Sequence, residues 1–176
     1  MPMPNYRRSL VPGATYFFTV TLADRTSDLL TRNIQTLRWA YAATHDAHRF
    51  ETVAICILPD HLHAIWRLPE GDADYPMRWQ LIKRRFSYGL SAGSRSASQH
   101  DKREKGIWQR RYWEHQVRDD EDLARHVDYI HYNPVKHGCV KQVEDWPHSS
   151  FHRWVTRGDL PPSWGAVAAP EGMFGE

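Results

Sequence analysis

Between Phe50 and Leu68 the chain reads FETVAICIL, then Pro59-Asp60, then HLHAIWRL. Both apolar stretches have strand length and are rich in β-branched and aromatic residues, and the two residues between them punctuate like a turn. A connection this short leaves no room for a crossover, so the two stretches are expected to pair antiparallel as a hairpin. Side chains alternate across a strand. His61 and His63 therefore share one face, and Leu62, Ala64 and Trp66 take the other.

The rest of the chain can be arranged around this hairpin. ATYFFTVTL, from Ala14 to Leu22 after the turn-like Pro12-Gly13, reads as another strand. A helix is expected from Arg32 to about His48, capped by Thr31, with Ile34, Leu37, Tyr41 and His45 near helical spacing. A second is expected from Met77 to Leu90, and Ile107 to Val117 is a fourth strand candidate. Residues 91–106 (SAGSRSASQHDKREKG) are small, polar and charged, with nothing to bury, and read as a mobile loop. Asp119 before the acidic turn Asp120, Glu121, Asp122 suits an N-cap and the helix dipole. The helix it opens is expected to reach about Tyr132, where Pro134 stops it. The order β-α-β-β-α-β-α implies an α+β fold: an antiparallel or mixed central sheet with packed helices, related to the ferredoxin-like plan. One domain over residues 1–157 is expected, followed by a tail, 158–176, that is either disordered or laid over the surface.

Several classes are disfavoured. No apolar run approaches the ~20 residues of a membrane span. MPMPNYRRSL lacks the apolar core of a signal peptide, so export is not expected. Cys56 and Cys139 are isolated, which fits a reducing cytoplasm and no structural disulfide. The net charge of +2 is too mild to announce a nucleic-acid binder, but the basic residues are clustered. Arg7 and Arg8, then Lys83, Arg84 and Arg85, then Lys102, Arg103, Lys105, Arg110 and Arg111 form three groups. Two of them are interleaved with aromatics, including Trp108 and Trp113. A solvated face would give each cluster singly; together they suit single-strand binding, where cations follow phosphates and rings stack on bases. Arg7, Arg8, Lys83, Arg84, Arg85, Trp108, Arg110, Arg111 and Trp113 are the candidate DNA contacts.

Two imidazoles side by side on a strand can bind one divalent metal, although most His-x-His pairs are ordinary sheet residues. Here Ile65 stands where a histidine-triad hydrolase would have its third histidine, and no second His-x-Ser/Thr pair completes a two-histidine phosphoesterase. On the helix, Tyr129 and Asn133 are four residues apart and share a face, with His126 one turn earlier. Leu123, Val127 and Ile130 form an adjacent apolar stripe that can pin the helix to the sheet. Tyr129 is then a candidate nucleophile over the His pair and Asn133 a candidate third ligand; Tyr132, the rival, points elsewhere and sits at the helix end.

LPDHLHAIWRLPEGD, WQRRYWEHQVRDDEDLARHVDYIHYNPVKHG and DWPHSSFHRW, with the opening NYRR and GATYFFTVTL, resemble the REP-associated tyrosine transposases, members of the HUH single-strand nuclease group. The resemblance spans roughly residues 5–157. It implies His61 and His63 as metal ligands, Tyr129 as nucleophile, Asn133 at the third-ligand position and Mg²⁺ or Mn²⁺ as cofactor. It also implies single-stranded DNA with palindromic hairpins as substrate. On ligand softness alone, two imidazoles favour Mn²⁺ or Zn²⁺ over Mg²⁺. The expected reaction is metal-dependent cleavage and strand transfer through a 5′-phosphotyrosine. The alternatives are another HUH nuclease, of replication-initiator or relaxase type, and a non-catalytic nucleic-acid-binding module. One chain carries all the candidate groups, which favours a monomer.

Overall fold

The computed structural model describes residues 7–170; the first six residues and the last six of the 158–176 tail lie outside them. Four strands, β1 (Thr15–Thr21), β2 (Glu51–Ile57), β3 (His61–Arg67) and β4 (Trp113–Gln116), form one sheet in the order β2-β3-β1-β4. Every neighbouring pair is antiparallel, and β2 and β3 make the expected hairpin. This is the ferredoxin-like order. The helices are α1 (Leu29–Arg32), α2 (Ile34–Ala47), α3 (Tyr75–Ser87), α4 (Ala97–Asp101), α5 (Asp120–Lys136) and α6 (Phe151–Arg157).

Alternation divides the sheet between two apolar layers. Tyr16, Phe18, Val20, Leu62, Ala64 and Trp66 pack on α2 and α3 through Leu37, Ala40, Trp79, Ile82 and Phe86. Phe17, Ala54, Cys56 and Ile65 face the other way and pack on Val127, Tyr129 and Ile130 of α5. His61 and His63 have the odd parity of Ile65, so the histidines lie on the α5 side. The edge strand β2 is covered by the chain after α5. Ile57 N–H donates to His148 O (2.8 Å) and Ser150 N–H to Ile55 O (2.8 Å), while Trp146 Nε1 donates to Ile57 O (3.0 Å). DWPHSSFHRW is thus a latch on an edge that would otherwise expose unpaired backbone groups.

Four boundaries depart from the expectations. Thr31 does not cap the long helix. Its hydroxyl donates to Asp28 O within α1, and Asn33 Nδ2 donates to Leu29 O, so the helix breaks at Asn33 and restarts as α2. The strand expected over Ile107–Val117 pairs regularly only from Trp113. Gln109 N–H bonds Thr21 O while Trp113 sits opposite Thr19, so residues 110–112 bulge out opposite Val20. Residues 91–106 hold α4, nucleated by a capping box in which Ser96 and Gln99 serve each other's backbone N–H.

Pro134 does not stop α5, which runs on to Lys136. Gly138 takes φ +69°, its N–H donates to Val135 O and that of Cys139 donates to Pro134 O. That Schellman closure satisfies the last carbonyls, and the buried Pro134 ring adds packing, so one missing N–H close to the end is tolerated. The tail packs on the body at least as far as Trp164, whose ring lies 6.0 Å from Phe151 and 6.2 Å from His131.

Candidate active site

Each histidine of β3 is oriented through Nδ1. Asp60, in the hairpin turn, accepts from His61 Nδ1 through Oδ1 (2.8 Å) and is itself bound by Arg25. Burial alone would raise the Asp60 carboxyl, but the hydrogen bonds from His61 and Arg25 outweigh it and hold the group below its usual range. Asp60 is therefore a carboxylate acceptor, and His61 Nδ1 carries the donated proton. His63 shares a 2.9 Å hydrogen bond between its Nδ1 and Thr19 Oγ1, directly across the β1–β3 ladder. Such partners on the far nitrogen fix a metal-binding imidazole's tautomer and ring angle.

Helix α5 crosses this face. The Tyr129 ring stands edge-on to His63 at 5.1 Å, and His137, two turns later, meets His61 at 4.9 Å. The two histidine rings are 4.9 Å apart. Asn133 sits halfway between Tyr129 and His137 on the same side of the helix. It is fully buried, and neither atom of its carboxamide has a hydrogen-bond partner among the described residues. Burying such a group unpaired costs on the order of 1–3 kcal/mol, so it calls for an explanation in function. Tyr132 faces away and packs beside Gly165 of the tail.

A cleft of about 590 Å³ opens over these groups, with Phe17, His61, Trp113, His115, His126 and Tyr129 among its walls. At its far end His115, Asp122 and His126 bring their ligating atoms within 4.8 Å of one another. Asp122 Oδ2 accepts from His115 Nε2 (2.8 Å) and from Arg118 N–H (3.0 Å), and Asp122 O accepts from His126 Nδ1 (2.7 Å). Burial would raise the Asp122 carboxyl, yet these donors hold it well below the carboxylate range. The two imidazoles stack at 4.7 Å and 16° rather than converge on a point, as befits a hydrogen-bonded anchor joining β4 to the start of α5. Burial pushes the His126 pKa down despite its bond to Asp122.

No family model matches the chain. It is 48% identical to the REP-associated tyrosine transposase of Escherichia coli over 162 residues, 92% of this chain and 91% of the relative. It is 52% identical over 165 residues to a Haemophilus influenzae protein described as a transposase of the same kind, covering 93% and 94%. The chain belongs to the REP-associated tyrosine transposases. A solved structure of a member bound to a REP hairpin superposes with a TM-score of 0.84 at 45% identity, over 99% of this chain and 98% of that one. The transposase is thus an enzyme that acts on DNA, and no helix among its described residues is long and apolar enough to cross a membrane.

The transposase distributes its candidate DNA contacts unevenly. Trp113 is 58% exposed at the rim of the Tyr129 cleft. Lys83, Arg84, Trp108 and Arg110 line a second cleft of about 510 Å³ between α3 and residues 102–110. Lys83 is half-buried over the Trp108 and Tyr112 rings, and burial, helped by the nearby Arg8, lowers it to about 8. Arg8 lies over the Tyr112 ring at 4.2 Å and donates to its hydroxyl. Arg7 and Arg111 are exposed. Arg85 turns from the cleft and donates to Thr44 Oγ1 on α2 (2.6 Å). Lys105, counted among the basic clusters, donates to Ser87 O, Tyr88 O and Leu90 O at 2.7 Å each, closing the end of α3.

Spacing alone did not point to Thr19, Asp60, His137 or the His115–Asp122 pair. Thr19 and Asp60 gave some signal, since the first shares the parity of Phe17 on the neighbouring strand and the second adjoins His61. His137 continues the four-residue stripe 129, 133, 137, but it lies beyond Pro134, where a helix is expected to have stopped.

Proposed function

We propose that this transposase is a metal-dependent single-stranded-DNA endonuclease and strand transferase in which Tyr129 is the nucleophile and His61, His63 and Asn133 are the metal ligands. The observation that carries the reading is the unpartnered, buried Asn133 carboxamide on the same helical stripe as Tyr129, whose ring abuts His63. Asn133 Oδ1 and the Nε2 atoms of two Nδ1-anchored histidines form one oxygen and two nitrogen donors. That set fits Mn²⁺ well and Mg²⁺ when phosphate oxygens complete the shell. When bound, the ion supplies Lewis-acid polarisation of the scissile phosphate.

The chain's own residues do the rest. Tyr129 is 3% exposed and held by Phe17 and His63, so its hydroxyl is aimed before substrate arrives. Tyr129 Oη gives its proton to solvent and attacks phosphorus, the Oη–P bond forms, the P–O3′ bond breaks and the departing 3′ oxygen takes a proton from solvent. The product is a 5′-phosphotyrosine with a 3′-OH, and a different 3′-OH can reverse the step without an external energy source. The hairpin held by the solved relative supports a REP-type hairpin with adjoining single strand as substrate. Trp113, exposed at the cleft rim, would stack a base beside Tyr129, and the basic lining of the second cleft would follow phosphates. All four groups come from one chain, which favours action as a monomer.

The test is to incubate the protein with a labelled single-stranded hairpin oligonucleotide and Mg²⁺ or Mn²⁺, then denature it. A covalent adduct is expected from the wild type and from Tyr132→Phe, but not from Tyr129→Phe or in excess chelator. Undiminished cleavage under chelator removes the metal role; hairpin binding with no adduct in either metal leaves only a binding module.

A further inference from the structure

Lys136 ends the same face of α5 that carries the nucleophile. Seven residues is almost two full turns, so positions 129 and 136 lie nearly one above the other. A helical side chain leans toward the N-terminus, which sends the long lysine stem back along the helix toward the tyrosine. Its ammonium lies 4.8 Å from the centre of the Tyr129 ring and 3.5 Å from Tyr129 Oη, to which it donates. The contact is long, as catalytic hydrogen bonds often are before substrate binds. Because the residue is exposed at the helix end, it can follow Oη through small movements.

We infer that Lys136 is a catalytic residue whose ammonium holds the negative charge on Tyr129 Oη when the tyrosine is the leaving group. The inference rests on the nucleophile assigned above. In strand transfer, the incoming 3′ oxygen bonds phosphorus and gives its proton to solvent. The P–Oη bond breaks, and its electron pair stays on Oη. A phenolate is then generated on a side chain that is 3% exposed and packed against Phe17 and His63. A donor already aimed at that oxygen stabilises the charge where it develops, the same principle by which oxyanion donors act. By microscopic reversibility the same contact orients Oη and lowers the barrier in cleavage. Phe17 of β1 and His63 of β3 pack on the Tyr129 ring, and two further cations line the same cleft, Arg25 paired with Asp60 and Arg118 with Asp122.

Single-turnover rates of adduct formation and of rejoining, at saturating hairpin DNA and metal, test this. Lys136→Met keeps the stem and removes the charge. Both rates should fall on the order of 100-fold, with hairpin Kd changed less than about threefold and the internal equilibrium between adduct and intact strand unchanged. Lys136→Arg should recover a large part of both. Lys136→Met rates equal to wild type, or a loss confined to Kd with normal saturated rates, overturn the role of Lys136 while leaving Tyr129 in place. If the wild-type adduct persists in Tyr129→Phe, or never forms, the nucleophile assignment falls and the inference with it. Thermal melting of both variants close to wild type separates these outcomes from misfolding.

Discussion

Tyr129 meets His63 edge to face, with ring centroids 5.1 Å apart and planes at 70°, so the proposed nucleophile and a proposed metal ligand are packed against each other. The positions on either side of that pair, Asn133 along the helix and Thr19 across the sheet, differ in what they contribute.

Replacing Asn133 should separate stability from activity. A leucine keeps the branching of the side chain and removes a buried, unpartnered carboxamide, and Asn133→Leu is expected to stabilise the fold by about 1 kcal/mol while abolishing adduct formation. Urea unfolding and the adduct assay read the two effects. A variant that is destabilised by more than about 1 kcal/mol would mean the carboxamide has stabilising partners, contrary to this reading.

Thr19→Val removes the hydroxyl that orients His63 and leaves shape nearly unchanged. Loss of such a support typically costs 10–100-fold in metal affinity. A Mn²⁺ titration of adduct formation should shift its midpoint by about that factor, with little change in the rate at saturation. A midpoint identical to wild type would show that packing alone holds the ring.

Arg84 and Arg85 are neighbours with opposite expected phenotypes. Arg84 is exposed at the second cleft, so Arg84→Ala should reduce the slope of log affinity against log salt by about 1 with no effect on melting. Arg85→Ala breaks the bond to Thr44 and should cost about 1 kcal/mol of stability with the salt slope intact. Exchanged phenotypes would mean that the two side chains have been assigned to the wrong faces.

The fold should weaken in mild acid. His131 is fully buried against Ser150, and burial, with Arg153 and His152 nearby, pushes its pKa down to about 3. The unfolded value is about 6.5, so between the two the unfolded chain binds more protons and unfolding free energy rises with pH. The His131 contribution is complete above about pH 6.5 and drains away as pH falls toward 3; His126 and His148, also lowered by burial, act in the same direction. The urea midpoint should drop between pH 7 and pH 5, and His131→Gln should flatten that dependence. Equal midpoints for wild type at the two pH values would exclude the effect.

Local regularity decided what could be read without coordinates. The hairpin and the shared face of His61 and His63 follow from strict alternation, which tertiary context seldom overrides. The reach of α5 to Lys136 is not legible, because a proline's local penalty is visible in sequence, whereas the Gly138 closure and the burial that offset it are not. The role of each residue in the basic clusters is not legible for a related reason. Charge is legible residue by residue, but whether Lys105 meets a phosphate or three carbonyls depends on where α3 ends. Asp122 looked like a first-turn carboxylate of α5; only the fold sets His115 of β4 against it.

Helix α5 begins beside β4, tied there by Asp122 to His115, and ends in the segment that latches β2, the opposite edge of the sheet. It is a strap buckled on both sides. Amide hydrogens of α5 and of the strands beneath it should therefore exchange with solvent as one cooperative block, at the free energy of whole-domain opening. Any rearrangement that the proposed strand transfer requires should then fall to the nucleic acid and to segments outside this block, because the helix bearing Tyr129 is tied to both edges of the sheet that carries His61 and His63.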